Sequence, residues 1–338
     1  MPAHVTHRLF AEDSLRAALG AEGGRLFREF GPFLTFGAQG PDFFYHNQRT
    51  KPSGLPFGKM LHRGRYGTMV RALVERSDAG LRSPEGAFTL AFTTHAVLDR
   101  RTHPFIIYFS GWVDPRDPAT DRYYLCHAFF ERIIDTAMLR RRRGLETGSY
   151  DFLSLVRCGP EMPDRLAGLV AGALCDTFPK LGTDPLRTLA KVRNAYRDTI
   201  GFYGYTNPPD RRTRELAREL DLADGARRRR LALFHPYALP DGIDFLNDAH
   251  REWIHPSFAE LRSIESFEEL YDRAVEEAVP VLRLTAEALS GAAPAEAVEK
   301  AVGNRNLNDG RSIGAPAPSR YADPLPLPEL LESMYRRA

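Results

Sequence analysis

Apolar residues recur at three- and four-residue intervals over most of this chain, without sustained two-residue alternation, a pattern that predicts helices. Leu9, Phe10, Leu15 and Leu19 place a first amphipathic helix over Thr6 to Leu19, with Gly20 as its stop. A Pro/Gly-rich loop, Lys51 to Gly58, precedes an expected helix from Lys59 to about Ser77. Pro84 to Trp112 reads as a long apolar helix that Pro104 should kink or end at His103. Past the polar stretch Asp114 to Ala119, a second long helix is expected from about Asp121 to Arg143. Further helices are expected at Pro163–Phe178, Pro185–Gly204, Arg211–Leu220, Phe267–Leu289 and Pro294–Val302. There is no internal repeat and no hairpin signal. The class is all-α, with residues 1–315 as one domain: its chemistry lies in 1–140 and a helical part in 160–315. Pro316, Pro318, Pro324, Pro326 and Pro328 make the tail, 316–338, extended before a short terminal helix.

Composition narrows the picture only slightly. At 43% hydrophobic and 27% charged residues, the 338-residue chain is an ordinary globular sequence, large enough for a substantial core. A formal net charge of +2 offers no polyanion-binding surface overall. Among 46 basic residues only Lys51, Lys59, Lys180, Lys191 and Lys300 are lysine, so arginine runs are partly a habit of composition. Arg140–Arg143 and Arg227–Arg230 could meet phosphate or anionic lipid, but solvated helix ends are the commoner case. Cys126, Cys158 and Cys175 form no C-x-x-C pair and read as small residues of a reducing compartment. The N-terminal stretch lacks a secretory apolar segment and no run has the length of a membrane span, so a cytoplasmic location is expected.

Candidate chemistry centres on Phe92 to Asp135. His95, Asp99 and His103, and then His127, Glu131 and Asp135, step by four residues, which holds each trio on one helical face. Two such strips can face a shared pocket, and imidazole with carboxylate is a donor set that zinc, manganese and iron accept. Their neighbours are apolar: Phe92, Ala96, Val97 and Leu98 in one case, Phe129, Phe130, Ile133 and Ile134 in the other. Burying ionisable groups there is costly unless metals or partners compensate, which points to a multi-metal hydrolase site. Asp42 follows Gly-Pro in the constrained turn GAQGPDFFY, and His62 sits near a helix start. Asp135, one turn beyond Glu131, reads as an outer partner or a cap rather than a ligand. Phe43, Phe44 and Tyr45 are either substrate walls or core. His46 is either a substrate contact or an exposed turn residue, and His235, His250 and His255 read as structural or surface residues.

The segments GPDFFYH, THAVLDRRTHP and HAFFERIID resemble those of the zinc-dependent phospholipase C family, most closely its bacterial intracellular branch, as does the opening MPAHVTH. The resemblance covers roughly the first 140 residues, with an echo in NRNLNDGRSIG, Asn304 to Gly314. It implies an all-α fold with a trinuclear zinc cluster in a cleft. Asp42, His62, His95 and Asp99 would hold one metal, and His103, His127 and Glu131 a second. A third would share Asp99 and take His7, for which His4 is the alternative. Asp42 resembles the family's base for the attacking water. In secreted members the third metal also uses the terminal amine, which here would be Pro2 after loss of Met1. The implied activity is cleavage of phosphoesters, with phospholipids as the substrate class. Single-strand nucleases share a related fold and remain the alternative, as does a non-catalytic helical protein stabilised by metal. No stable nucleic-acid partner is expected.

Overall fold

In a computed structural model, residues 4–207, 212–225 and 229–336 are described. Among them are twelve α-helices and one two-stranded sheet. The helices are α1 (His4–Leu19), α2 (Ala21–Ala38), α3 (Leu55–Arg63), α4 (Tyr66–Glu75), α5 (Pro84–Ser110), α6 (Cys126–Arg143), α7 (Asp164–Thr177), α8 (Pro185–Thr206), α9 (Arg212–Ala223), α10 (Phe267–Leu289), α11 (Ala295–Val302) and α12 (Leu327–Arg336). None is long and apolar enough to cross a membrane.

Helix α5 is the axis. It is apolar on nearly every side, as a helix enclosed by others must be. The Ser83 hydroxyl starts it by accepting from the Gly86 amide. α2 and α10 pack along it, and α1 packs against both of these and against α6. The α2–α5 approach is close because Gly37 faces Phe88: a Cβ there would lie 2.4 Å from the Phe88 carbonyl oxygen. α4 packs against α7 and α11, and α8 lies on α7 and on a 3-10 turn, Asp42–His46. One apolar cluster runs from Val5 to Leu331, so the C-terminal helices share the core that encloses α5.

Several elements depart from the periodicity reading. α2, over a span where no helix is expected, contains Gly23, Gly24, Gly31 and Pro32; it bends at Phe30 (φ −125°, ψ 22°) and continues. The span from Lys59 to Ser77 is two helices, α3 and α4, parted at Gly64 and the left-handed Arg65 (φ 64°). α5 covers nearly the expected span, Pro84 to Ser110, but runs through Pro104 without the kink or end expected at His103. Enclosure by α2 and α10 outweighs the local preference of a residue before proline. Asp121 belongs to a 3-10 turn, Pro118–Tyr123, and α6 begins only at Cys126. A short antiparallel hairpin, β1 (Trp253–His255) and β2 (Phe258–Ser263), pairs Trp253 with Ser263 where no strand was expected. Arg211, the expected start of α9, lies outside the described residues. The tail preceding α12 lies on the hairpin and the end of α5. Arg320 and Tyr321 amides donate to the Pro256 carbonyl, and the Leu325 amide donates to that of Phe109.

Candidate metal centre

Five elements deliver the ligand-type side chains. α5 carries His95, Asp99 and His103 on one face; α1 brings His7, the 3-10 turn Asp42, α3 His62, and α6 His127 and Glu131. All are buried except His127, whose side chain is 36% exposed. The structure brings every sequence-predicted ligand into two adjoining groups. In the first, His62 Nε2 lies 3.1 Å from Asp42 Oδ1, and His95 Nε2 lies 3.1 Å from Asp99 Oδ2. His95 Nε2 is also 3.5 Å from Asp42 Oδ1, and His62 Nε2 is 3.9 Å from Asp99 Oδ2. Asp99 turns its other oxygen to His7, with Oδ1 3.3 Å from Nε2. In the second group, Glu131 Oε1 lies 2.9 Å from His127 Nε2 and 3.9 Å from His103 Nε2.

These separations test whether the residues fit an ion. Two ligand atoms each about 2.1 Å from one tetrahedral ion lie about 3.4 Å apart, the range seen here. Within each of the sets His7/Asp42/His95, His62/His95/Asp99 and His103/His127/Glu131, one ligand atom per residue lies within 4.8 Å of the others. Both oxygens of Asp42 and Asp99, and Nε2 of His7, His62 and His95, are buried without completing a hydrogen bond. Leaving so many polar atoms unsatisfied would cost about 1–3 kcal/mol each, so the pocket is built to have them engaged by something else. These groups can hold metal ions, and the donor chemistry fits.

Backbone carbonyls aim the imidazoles. His62 Nδ1 donates to the Gly58 carbonyl at 2.8 Å, His95 Nδ1 to that of Ala38 at 3.3 Å, and His103 Nδ1 to that of Leu307 at 3.3 Å. A carbonyl can only accept, so each ring carries its proton on Nδ1 and presents Nε2 to the centre. Leu307 belongs to the segment NRNLNDGRSIG, and its amide donates to the His62 carbonyl at 2.8 Å. Gly40 lets His95 approach: its φ is +54°, and a Cβ would fall 2.3 Å from the ring.

Electrostatics follow from burial and from the mixed charges. Burial alone would raise the Asp99 carboxyl, but the imidazoles of His95, His103 and His7 hold it well below the usual range. Burial opposes ionisation of Asp42 as well; His95 and His62 win and hold it low. Burial lowers the pKa of His7 and His103, and partial burial that of His127, favouring the neutral form that ligates. Burial also disfavours charge on His95, but Asp99 and Asp42 more than offset it and raise its pKa.

Asp135 stands outside this set. Its carboxylate accepts from the amides of Val5 (3.0 Å) and Thr6 (2.7 Å), from the Thr6 hydroxyl (2.6 Å) and from His235 Nε2 (2.9 Å). It therefore caps α1 from across the core, one residue ahead of His7. His235, expected to be a structural or surface residue, is structural: it is buried, stacked on Phe152, and locks Asp135 in place. His4, the alternative to His7, packs edge-on against Tyr203 away from the centre. His46 stacks on Phe202 rather than standing in an exposed turn. Phe43 and Phe44 are core. Pro2 lies outside the described residues.

His62, His103, His127 and Glu131 line a cleft of about 530 Å3, while His7, Asp42, His95 and Asp99 are fully buried and outside its lining. Tyr45, Ile107, Trp112, Val113, Tyr123 and Leu125 wall it. Trp112, Asn308 and Ser319 also line an adjoining groove of about 410 Å3 that runs to the Pro316–Pro318 segment. Of these, Tyr45 is the wall residue the aromatic run Phe43–Tyr45 pointed to; sequence reasoning missed Ile107, Trp112, Val113, Tyr123 and Leu125, which come from separate elements with no shared spacing. The arginine run on α6 is structural: Arg141 pairs with Asp248 and Glu268, Arg142 with Asp272, and Arg143 with Asp13. Arg230 pairs with Asp221 and Asp224, whereas Arg227 lies outside the described residues. Compared with known proteins, this chain gives no significant match to a family model, a curated protein or a solved structure.

Proposed function

We propose that this protein is a zinc-dependent hydrolase of phosphoesters, of the phospholipase C type. The observation that carries the reading is the convergence of the His7, His62 and His95 nitrogens with the Asp42 and Asp99 oxygens, next to a cleft lined by His62, His103, His127 and Glu131. A purely structural zinc site is closed by its protein ligands, whereas a catalytic one keeps a position open to solvent and substrate. Zinc bound there supplies Lewis-acid polarisation of the phosphoryl oxygens and lowers the pKa of a water. The chain's own residues do the rest. Asp42, kept ionised by His95 and His62, would accept the proton of the attacking water. Asp99 and Glu131 supply negative charge that neutralises the cations, and the apolar walls exclude water and hold the non-reacting part of a lipid-like substrate. The reading carries with it a reducing, cytoplasmic setting, in keeping with three unpaired cysteines.

Tyr45, Trp112 and Tyr123 are also residue types that stack bases, so a single-strand nuclease is the second reading. Elemental analysis of purified protein should return at least two zinc equivalents per chain, and a substrate panel should show cleavage of a phosphodiester or phospholipid head-group bond. Asp42→Asn keeps a ligating oxygen but removes the base, and should lose most turnover while retaining metal. Metal content near zero after zinc reconstitution would end the proposal. Cleavage of single-stranded DNA with no action on lipids would transfer it to the nuclease reading.

A further inference from the structure

Behind the metal centre lies a second concavity, of about 410 Å3, whose rim is dominated by guanidinium groups. Arg101, Arg262, Arg305 and Arg311 line it, against the carboxylates of Glu265 and Glu277. Those carboxylates are engaged: Glu277 contacts Arg101, and Glu265 pairs with Arg273 at 2.9 Å. Asp309, also in the lining, is consumed by its own turn, accepting from the amides of Arg311, Ser312 and Ala317. Arg305 and Arg311 have no carboxylate within ion-pair distance among the described residues. Burial, and then the charges of Arg273, Arg305 and Arg311, lower the pKa of Arg101 against the pull of Glu265. Arg262 pairs with Glu252 at 2.6 Å and Arg101 with Glu277, so of those four arginines Arg305 and Arg311 are the ones left without a carboxylate partner among the described residues.

We propose that this hollow is an anion site for a phosphate group, separate from the metal centre and held chiefly by Arg305 and Arg311. Guanidinium forks match phosphate oxygens in geometry and charge, and lysine would not. The site does not depend on the proposed hydrolase activity. Its wall is the segment that contains Leu307, so the two sites lie back to back: Arg305 and Arg311 face the hollow while Leu307 holds His62 and His103.

The chain's two tryptophans make the sites separately readable, since Trp253 lines the hollow and Trp112 the cleft. In the Trp112→Phe protein, titration with inorganic phosphate, and separately with glycerol phosphate, should change Trp253 fluorescence saturably in the submillimolar to millimolar range. Arg305→Ala/Arg311→Ala in that background should weaken the response at least tenfold, with zinc content unchanged. Glu277→Gln, which frees Arg101, should tighten it, and this variant keeps the test open if the double variant folds poorly. A response to vesicles of anionic phospholipid, lost in the double variant, with none to the soluble phosphates, would assign the phosphate to a lipid head group. No saturable response to any of these probes, equal affinity in the double variant, or loss of zinc together with the phosphate response would overturn the separate site.

Discussion

Asp135 offers the sharpest test of how this centre is held together. It contributes no ligand, yet four donors converge on its fully buried carboxylate. Asp135→Ala would leave the amides of Val5 and Thr6 and the ring of His235 without their acceptor. Hydrogen bonds to a buried charge contribute about 1.5–3 kcal/mol each, but four that share one carboxylate are not additive, so a loss of about 4–5 kcal/mol is expected. Asp135→Asn keeps an acceptor oxygen and should lose about half as much. The local consequence is an unpinned first turn of α1, which begins three residues before His7. Metal bound at the groups formed by His62, His95 and Asp99 and by His103, His127 and Glu131 should persist, while any that depends on His7 should weaken. The assay is urea unfolding followed by circular dichroism at fixed zinc, with metal stoichiometry measured in parallel. A loss below about 1 kcal/mol would refute the capping argument. Zinc loss as complete as in an Asp99 variant would refute the division between ligand and support.

Asp99→Ala should lower occupancy at more than one site, because one oxygen faces His7 and the other His95 and His62; loss of a single equivalent by elemental analysis would count against the shared role. Gly40→Ala should displace His95 and cost about 3 kcal/mol or more, since the methyl group meets the ring and φ is left-handed; unchanged stability and zinc content would show that the turn relaxes freely. Burial, helped by Arg132, depresses the His46 pKa from 6.5 to about 3, so below pH 6.5 the unfolded chain binds more protons than the folded one. This contribution is complete above about pH 6.5 and is lost as pH falls towards 3, about 2 kcal/mol of it by pH 5. His46→Asn should flatten the stability–pH slope in that window by this amount, and an unchanged slope in urea unfolding at pH 7 and pH 5 would remove His46 as its source.

Helix class and most helix positions follow from periodicity alone, because an enclosed helix must repeat its apolar face every 3.6 residues whatever surrounds it. α10 begins and ends where its pattern does, with the Ser266–Glu269 capping box at its start. The four-residue steps from His95 to His103 and from His127 to Glu131 likewise had to place those side chains on single faces once α5 and α6 formed. Local rules failed where packing supplied the deciding energy. Pro104 sits inside α5 because neighbouring helices enclose it, whereas the exposed Pro32 is accommodated by the bend of α2 at Phe30, and Gly23 and Gly37 of α2 allow close approach rather than breaking the chain. What no spacing could state is which side chains from distant segments meet. Asp42 and His62 come within 3.1 Å only because α3 and the preceding turn dock together beside α5. The carbonyls of Ala38, Gly58 and Leu307, which aim three imidazoles, carry no side-chain signature at all. Asp135 becomes a cap for α1, some 129 residues away in sequence, only when α6 lies across that helix. Local sequence sets which face each ligand occupies; the docking of one helix against another sets the distances between them, and metal chemistry depends on those distances.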